Sequence, residues 1–284
     1  LAPVLLGRRF PALRSVVLCI EDAVRETDVP RALQQLAGFL RQLSRQPAEP
    51  HLPQLFVRPR SAAMLEHILC MPGAECLAGF VIPKAHADSL PAYLALPLHD
   101  GHRLMPTLET REACDPYEMR RLRDQLLAVP DRILVLRIGG NDLLQAMGLR
   151  RSATRTAYEG PLGGVIASLV AGFAPWGFAL SAPVMEKFDD PALLREEVAR
   201  DIEHGLWTKT AIHPDQVPVI QAALAVPGEQ LAEARLILAE DSPAIFARAG
   251  VMCEPATHRG WAGRIVRRAD LFGIADPLPI ARLA

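Results

Sequence analysis

Carboxylates follow apolar, strand-like runs of this sequence at points where the chain turns. The run Ile133–Ile138 ends at two glycines, and Asn141 and Asp142 follow directly, while Glu109 follows the run "RLMPTL". A carboxylate in such a turn is a solvated residue, a cap for the next helix, or a metal ligand. Mg²⁺ prefers oxygen ligands and keeps several of its waters, so one or two carboxylates are enough to hold it. Glu109 and Asp142 are therefore the candidate Mg²⁺ ligands.

Charged residues also follow the other strand-like runs. They are Glu21 and Asp22 after "SVVLCI", Arg58 and Arg60 after "QLFV", Lys84 after "GFVIP", Glu186, Lys187 and Asp189 after "GFALSAPVM", and His213 after "KTAI". Beside a divalent cation, the planar fork of Arg58 suits the carboxylate of an anionic substrate. We expect its guanidinium to point inward toward the metal position, held by neighbouring acids when no substrate is bound. A structural pairing of Arg58 with Glu21 or Asp22 is the alternative, and Arg60, on the same face, competes for the substrate.

These charged residues need a scaffold that brings strand ends together. Strand-like runs recur from "PVLL" to "KTAIHP", and most are separated by helical stretches: Val29–Leu43, Tyr117–Val129, Gly160–Phe173, Pro191–Gly205 and Asp215–Leu224. Short apolar strands that alternate with helices predict a parallel α/β sheet, and eight such units predict a TIM (β/α)8 barrel, whose strands end at one shared rim. We predict a barrel over residues 1–226. Residues 227–284 are predicted to form a C-terminal helical extension without a clear strand, packed on the barrel or on a neighbouring subunit.

Composition excludes several classes of partner. The chain has 284 residues with 31 Lys and Arg, 32 Asp and Glu and a net charge of −1, so no general positive field favours nucleic acid or an anionic membrane. The uncharged segment Gly163–Met185 is long enough to span a bilayer, but Pro175, Gly177 and Pro183 interrupt it. The five cysteines show no C-x-x-C spacing, which favours a reducing, cytoplasmic location over a disulfide framework.

Five stretches resemble, in order, the citrate lyase β-subunit-like family of the HpcH/HpaI aldolase and citrate lyase superfamily. They are "VVLCIEDAV", "FVRPRS", "LMPTLET", "RIGGNDLLQAMGLRR" and "TKTAIHPDQVPVIQAAL". The resemblance covers most of the chain, from about Ser15 to the region of Gly263. It implies a TIM barrel, often trimeric, with Mg²⁺ held by Glu109 and Asp142.

The resemblance also implies roles for other residues. Arg58 contacts the substrate, and the acidic pair Glu21 and Asp22 organises the site, while Arg60 and Lys84 are further candidates for substrate binding. Glu254, in "GVMCEP", stands where some relatives place an acidic residue that reaches a neighbouring subunit's site. The implied substrate is a 2-oxo acid or a hydroxyacyl-coenzyme A, bound by a homo-oligomer.

The sequence departs from the family pattern at three motifs. Cys19, expected to lie in the core, replaces a frequent Asp; Pro59 and Arg60 follow Arg58 where an Asn is usual; and Ser181-Ala182-Pro183 replaces Asp-Gly-Pro. The predicted function is a Mg²⁺-dependent carbon–carbon lyase, which cleaves or forms a bond between a 2-oxo acid and an acyl unit such as a coenzyme A thioester. The alternatives are a class II-type aldolase acting on free 2-oxo acids, and a non-catalytic barrel that binds an organic acid and a metal.

Overall fold

The computed structural model describes residues 10, 13–45 and 52–275. Six parallel strands form one sheet in sequence order: β1 Ser15–Cys19, β2 Gln54–Arg58, β3 Gly79–Ile82, β4 Arg103–Leu108, β5 Leu136–Ile138 and β6 Leu180–Ser181. A parallel bridge between Ala182 and Lys209 continues the sheet beyond β6. The predicted strand "KTAI" is therefore represented by this single bridge at Lys209. The predicted strand order is confirmed from Ser15 onward. The predicted strand "PVLL" lies outside the described residues.

Helices follow the strands as the alternating pattern predicts. Those in the first part of the chain are α1 Val29–Leu43, α2 Ala62–Leu69, α3 Leu90–Leu94, α4 Pro116–Leu126, α5 Gly140–Ala146 and α6 Pro161–Phe173. Two of them begin at side-chain caps, because Ser61 accepts a hydrogen bond from the Met64 backbone N–H and Asp115 accepts one from that of Tyr117. The uncharged segment is divided: α6 ends at Phe173, Gly177 turns the chain, and β6 begins at Leu180. Among the described residues, no helix has the length and apolar character that a membrane crossing needs.

The two faces of the sheet bury different residues. Side chains on the outer face, including Leu55, Val57, Phe80, Ile82, Leu108, Leu136, Ile138 and Leu180, pack into two large apolar clusters that include helix residues. The intervening residues Phe56, Val81 and Met105, with Val17 and Val135, form a separate inner cluster. Because successive side chains of a strand point to opposite faces, this alternation assigns Cys19, Arg58, Thr107 and Arg137 to the inner face.

The chain separates into two compact units. The first comprises Leu1–Glu186 with His204–Thr210, and the second comprises Lys187–Glu203 with Ala211–Ala284. The second unit contains α7 Pro191–Glu203, α8 Gln216–Leu224, α9 Gly228–Leu238 and α10 Pro255–Phe272. The division into a barrel at 1–226 and an extension at 227–284 stays a prediction.

The expectation that the C-terminal region has no strand is wrong. Phe246–Arg248 pairs antiparallel with Val251–Cys253, and Val226–Pro227 pairs parallel with Ile274–Ala275. The first pair turns at Ala249 and Gly250, which both adopt positive φ. Strands of two or three residues are too short to show a period in the sequence, which is why the pattern missed them.

Candidate active site

The glycine turn after β5 makes room for Glu109. Glu109 follows β4, is only 5% exposed, and its Oε1 accepts a hydrogen bond of 2.8 Å from the backbone N–H of Lys84. A Cβ atom at Gly139 would overlap both the Cβ and Oε2 of Glu109, so a residue with a side chain does not fit there without a shift. Burial raises the pKa of Glu109 to about 7; the Lys84 hydrogen bond opposes this rise, and the negative charge of Asp142 adds to it.

Asp142 lies in the first turn of α5 and does not cap it. The cap position is Gly139, and no side-chain capping bond forms there. Burial raises the pKa of Asp142 as well, although the charge of Lys84 opposes this rise. Across the part of the chain that the structure describes, the Asp142 carboxylate has no hydrogen bond or ion pair, which leaves its oxygens available to a ligand.

Glu109 and Asp142 together fit a hard divalent cation. Each has a raised pKa, so a positive charge between them would offset the burial of two carboxylates. No group of three or more His, Cys, Asp or Glu side chains in the described ranges is placed to hold a metal ion. A site with two protein carboxylates, completed by water and substrate, is the arrangement typical of Mg²⁺ rather than of Zn²⁺.

Lys84 connects the acidic pair after β1 with Glu109. Its Nζ contacts the buried carboxylate of Glu21 and lies 2.8 Å from Oδ2 of Asp22, while its backbone N–H binds Glu109. Burial alone lowers the pKa of Lys84, but the hydrogen bonds with Asp22 and Glu21 outweigh burial and raise it. The Lys84 hydrogen bond likewise lowers the pKa of Asp22. Lys84 is therefore a cation at neutral pH, held by both acids.

Arg58 is placed on the inner face of the barrel, opposite Cys19 in the β1–β2 register. Its Nε and Nη2 donate to the Cys19 Sγ at 3.3 and 3.2 Å, and Nη2 lies 3.5 Å from Oε2 of Glu21. Burial lowers the pKa of Arg58, but Cys19, Glu21 and Glu109 together raise it above its usual value. The guanidinium thus faces the acids, as the sequence predicts, and its role in binding substrate stays a prediction.

Cys19 is not a core residue, which corrects the expectation from sequence. Its side chain is only partly buried and its sulfur is the acceptor for the Arg58 guanidinium. The expectation took β1 to be buried on both faces. The inner face at the end of β1 is instead polar and accessible, since its neighbours are Arg58 and Glu21 rather than apolar side chains.

Arg60 forms hydrogen bonds and an ion pair with the segment that follows β1. Its Nε donates to the Ile20 carbonyl at 3.0 Å, its Nη2 lies 3.4 Å from the Glu21 carbonyl and also contacts that of Val24, and its Nη1 pairs with Glu26. These bonds hold the backbone that carries Glu21. The proposed contact of Arg60 with substrate stays a prediction, and its guanidinium is already engaged by protein groups.

Thr107 and Arg137 face inward and are not among the site residues predicted from the sequence, and Ser181 is known from the sequence only as a departure from the family motif. Thr107, Arg137 and Ser181 pair in register across β4, β5 and β6. A charged residue within the apolar run "ILVLRIGG" was the available signal for Arg137. This signal is incomplete, because a strand with apolar residues on both faces does not reveal which face such a residue takes.

Glu254, a predicted site residue, and His213, for which a structural role is expected, belong to the second compact unit. Glu254 directly precedes α10, and its backbone N–H donates to Nδ1 of His258 at 3.1 Å. His213 stacks on Phe188 with ring centroids 4.7 Å apart, and its Nδ1 accepts a bond from the Asp215 backbone N–H. These contacts give His213 a local structural role, while the catalytic role of Glu254 stays a prediction.

A family model described as C-C_Bond_Lyase of the TIM-Barrel fold matches residues 1–274. The match confirms the predicted TIM barrel and the predicted class of carbon–carbon lyase. No curated protein matches the chain.

Solved structures share the fold at low identity. The CitE protein of Mycobacterium tuberculosis, in complex with magnesium, acetoacetate and coenzyme A, is 24% identical, with 94% of each chain covered and a TM-score of 0.68. A citrate lyase from Burkholderia xenovorans LB400 is 20% identical over 93% of this chain and 85% of its own, with a TM-score of 0.70. The citrate lyase beta subunit of M. tuberculosis with oxaloacetate and magnesium is 22% identical over 78% of this chain and 91% of its own, with a TM-score of 0.55.

Proposed function

The chain belongs to the carbon–carbon bond lyase family of the TIM-barrel fold, and on this premise we propose that it is a Mg²⁺-dependent lyase that cleaves or forms a bond between a 2-oxo acid and an acyl unit. The observation that carries the proposal is the pair of carboxylates, Glu109 and Asp142, on the same rim as the guanidinium of Arg58. Magnesium in the structures of CitE and of the citrate lyase beta subunit supports the choice of metal.

Glu109 and Asp142 are the proposed Mg²⁺ ligands. Both carboxylates have a raised pKa, and the cation would offset the cost of their ionised forms. When bound, Mg²⁺ polarises the carbonyl of a 2-oxo acid and stabilises the negative charge that develops beside it. The Lys84 backbone N–H holds Oε1 of Glu109 and so orients its carboxylate.

Arg58 is proposed to bind the substrate carboxylate and to stabilise negative charge in the transition state. Its raised pKa keeps it protonated, and Glu21 and Cys19 fix the position of the guanidinium before the substrate arrives. Glu21 and Asp22 act as a positioning pair with Lys84, which they hold by two contacts. Lys84 is then placed to add a positive charge near the substrate.

The proton that accompanies bond cleavage needs a base, and Glu254 is the proposed one, supplied by a neighbouring subunit of a homotrimer. Mixing two inactive variants tests this arrangement. If Glu254→Gln and Glu109→Gln subunits are unfolded together and refolded as mixed oligomers, some interfaces contain one intact site and activity returns. Recovery is absent if each subunit uses its own Glu254. The control is Glu254→Gln protein unfolded and refolded alone, in which activity is not expected to return.

A lyase screen tests the reaction class. The purified chain is incubated with short 3-hydroxyacyl thioesters that carry a carboxylate on C3 and with 4-hydroxy-2-oxo acids, with Mg²⁺ and with a chelator. Release of a 2-oxo acid and of the shortened acyl thioester is followed. Mg²⁺-dependent cleavage of the carbon–carbon bond of a hydroxyacyl thioester, with the thioester kept in the acyl product, supports the lyase. Cleavage of only the free 4-hydroxy-2-oxo acids supports the aldolase alternative.

Loss of turnover in Glu109→Gln, with Glu66→Gln unchanged, assigns activity to the candidate site, because Glu66 is an exposed residue on α2. Binding of oxaloacetate and Mg²⁺ without any turnover supports the non-catalytic barrel. A cytoplasmic location is proposed as well, supported by the five cysteines, all of which are free thiols.

A further inference from the structure

One row of polar side chains crosses three strands inside the barrel. Thr107 of β4 pairs with Arg137 of β5, and Arg137 pairs with Ser181 of β6. Their strand neighbours Leu108, Leu136 and Leu180 belong to the outer apolar cluster. Because side chains alternate along a strand and register partners share a face, the row Thr107–Arg137–Ser181 faces the barrel interior.

Arg137 carries a charge that no acid neutralises directly. Its Nη2 donates to Oγ1 of Thr210 at 3.0 Å. Within the described ranges it forms no ion pair with a carboxylate, and its other guanidinium nitrogens have no hydrogen-bond partner. Burial, followed by the positive charge of Arg58, lowers the pKa of Arg137 to about 10. Burying a guanidinium without a paired carboxylate costs free energy, and a bound anion would offset that cost.

The hydroxyl of Thr107 is a second, independent observation that points to a binding site. The residue is 2% exposed, and its Oγ1 has no hydrogen-bond partner in the part of the chain that the structure describes. Buried hydroxyls are almost always satisfied. Ser181, at the other end of the row, differs because its hydroxyl already donates to the Thr208 carbonyl at 3.1 Å. Among the described residues of this row, the donors without a protein partner are therefore the Thr107 hydroxyl and the Nε and Nη1 groups of Arg137.

Arg58 is less well placed than Arg137 to grip an oxyanion through two parallel bonds. The Nε and Nη2 atoms of Arg58 both donate to Cys19, so that edge of its guanidinium is occupied. In Arg137 only Nη2 donates to a protein group among the described residues, so its Nε and Nη1 groups remain available. Two parallel N–H groups are the geometry that suits carboxylate or phosphate oxygens.

We propose that Arg137 and Thr107 form an oxyanion-binding site inside the barrel, which takes a carboxylate or phosphate group of the substrate. The proposal rests on the proposed function only in that the substrate enters this barrel. Arg137 binds two oxygens of the group, and the Thr107 hydroxyl donates to one of them. Arg58 and the metal-binding carboxylates then remain free for the reacting end of the substrate.

Binding to the metal-free protein tests the site without any turnover. Dissociation constants for malonate, acetate and inorganic phosphate are measured by calorimetry in the presence of a chelator, for the wild type and for Arg137→Met, Arg137→Lys and Thr107→Val. Arg103→Met is the matched control, since Arg103 begins the same strand as Thr107 at its other end and bonds to the Asp100 carbonyl. Preference for malonate or for phosphate identifies the group that the site takes.

We expect Arg137→Met to weaken oxyanion binding at least tenfold and to raise the melting temperature of the ligand-free protein, because it removes an uncompensated charge. Arg137→Lys keeps the charge but loses the fork, so an intermediate loss is expected. Thr107→Val, which is nearly isosteric, should weaken binding several-fold with no loss of stability, and Arg103→Met should change neither quantity.

The proposal is overturned if neither malonate nor phosphate binds the metal-free wild type, or if Arg137→Met and Thr107→Val bind them as the wild type does. A purely structural role for Arg137 with Thr210 predicts the second result together with a lower melting temperature. Failure of the lyase screen does not produce either outcome, since no metal or cleavage is involved. An active lyase whose KM is unchanged in Arg137→Met would overturn this inference alone.

Discussion

The sulfur of Cys19 lies 3.3 Å from Nε and 3.2 Å from Nη2 of Arg58, so a thiol occupies the edge of the guanidinium that would otherwise grip a carboxylate. Removing the thiol should open that edge. We expect Cys19→Ala to strengthen binding of a 2-oxo acid several-fold, in line with about 1 kcal/mol for one hydrogen-bonding group. Arg58→Lys should weaken the same binding about tenfold or more, since Lys lacks the planar fork. Titration of both variants with oxaloacetate and Mg²⁺ measures the two effects, and weaker binding by Cys19→Ala would contradict the prediction.

Neutralising either metal-binding carboxylate should remove the response to Mg²⁺ and leave the fold intact. Glu109→Gln keeps an acceptor for the Lys84 N–H and removes a buried charge next to Asp142, so the metal-free variant should be at least as stable as the wild type. Asp142→Asn breaks no hydrogen bond within the described residues. Thermal unfolding with and without Mg²⁺ checks this, with Glu66→Gln as the control. A Mg²⁺-induced rise in melting temperature that persists in both variants would show that the metal binds elsewhere.

A single methyl group at residue 139 should damage the site. Gly139→Ala places a Cβ where the Glu109 side chain lies, so the carboxylate or the turn has to move. We expect a loss of about 1–3 kcal/mol in the free energy of unfolding and weaker Mg²⁺ binding. Gly38→Ala is the matched control: Gly38 lies inside α1 with open space around its Cβ position, and the change should stabilise the protein by about 0.5–1 kcal/mol. Equal effects of the two substitutions on Mg²⁺ affinity would count against the turn as a support for Glu109.

Stability should fall in mild acid because of His102. The residue is 1% exposed, and its Nε2 lies 3.0 Å from the Ala74 carbonyl oxygen, a contact that fits the neutral imidazole. Burial lowers its pKa, and the charges of His99 and Arg132 lower it further, against the opposing effects of Ala74 and Glu75. In the unfolded chain a histidine has a pKa of about 6.5. Below that pH the unfolded state binds a proton that the folded state does not, so stability is lost as the pH falls toward the folded pKa.

Urea unfolding at two pH values measures the His102 effect. Between pH 7.5 and pH 5.5 the wild type should lose more stability than His102→Gln, which cannot titrate. His67→Gln serves as the control because His67 is exposed on α2 and its loss should leave the pH dependence of the wild type unchanged. An identical pH dependence in the wild type and His102→Gln would assign the acid sensitivity to another group.

The sequence motifs point more directly to residues at the rim of the barrel than to residues in its interior. Glu109 and Asp142 could be singled out from the sequence because Glu109 directly follows a strand and Asp142 lies in the turn after the next one. The ends of parallel strands share one edge of the sheet, whichever face the individual side chains take. Arg137 and Thr107 could not be singled out in this way, because their proposed role depends on which face of a strand they take. In "ILVLRIGG" both faces of the strand carry apolar residues, so the alternation that would mark the inner face is hidden among Leu, Val and Ile.

The contact between Cys19 and Arg58 needed the structure for a different reason. It joins residues 39 positions apart, and only the β1–β2 register sets them opposite each other. Short strands with little alternation specify such a register weakly in sequence. The strand order was easier to predict, since sequential parallel strands with helices between them leave few arrangements.

The position of Lys84 combines a backbone conformation that favours glycine with contacts that need a charged side chain. Its φ of 49° lies in the left-handed region, where glycine is the easiest choice. Its ammonium, however, anchors Glu21 and Asp22, while its backbone N–H holds Glu109. Glycine at this position would relieve the backbone strain but would remove the ammonium contacts with Glu21 and Asp22. A lysine in extended backbone conformation would keep the charge, but its N–H would no longer point at Glu109. Anyone who grafts this constellation onto another barrel must therefore transplant the whole turn, with its unfavourable conformation, and not the charged side chains alone.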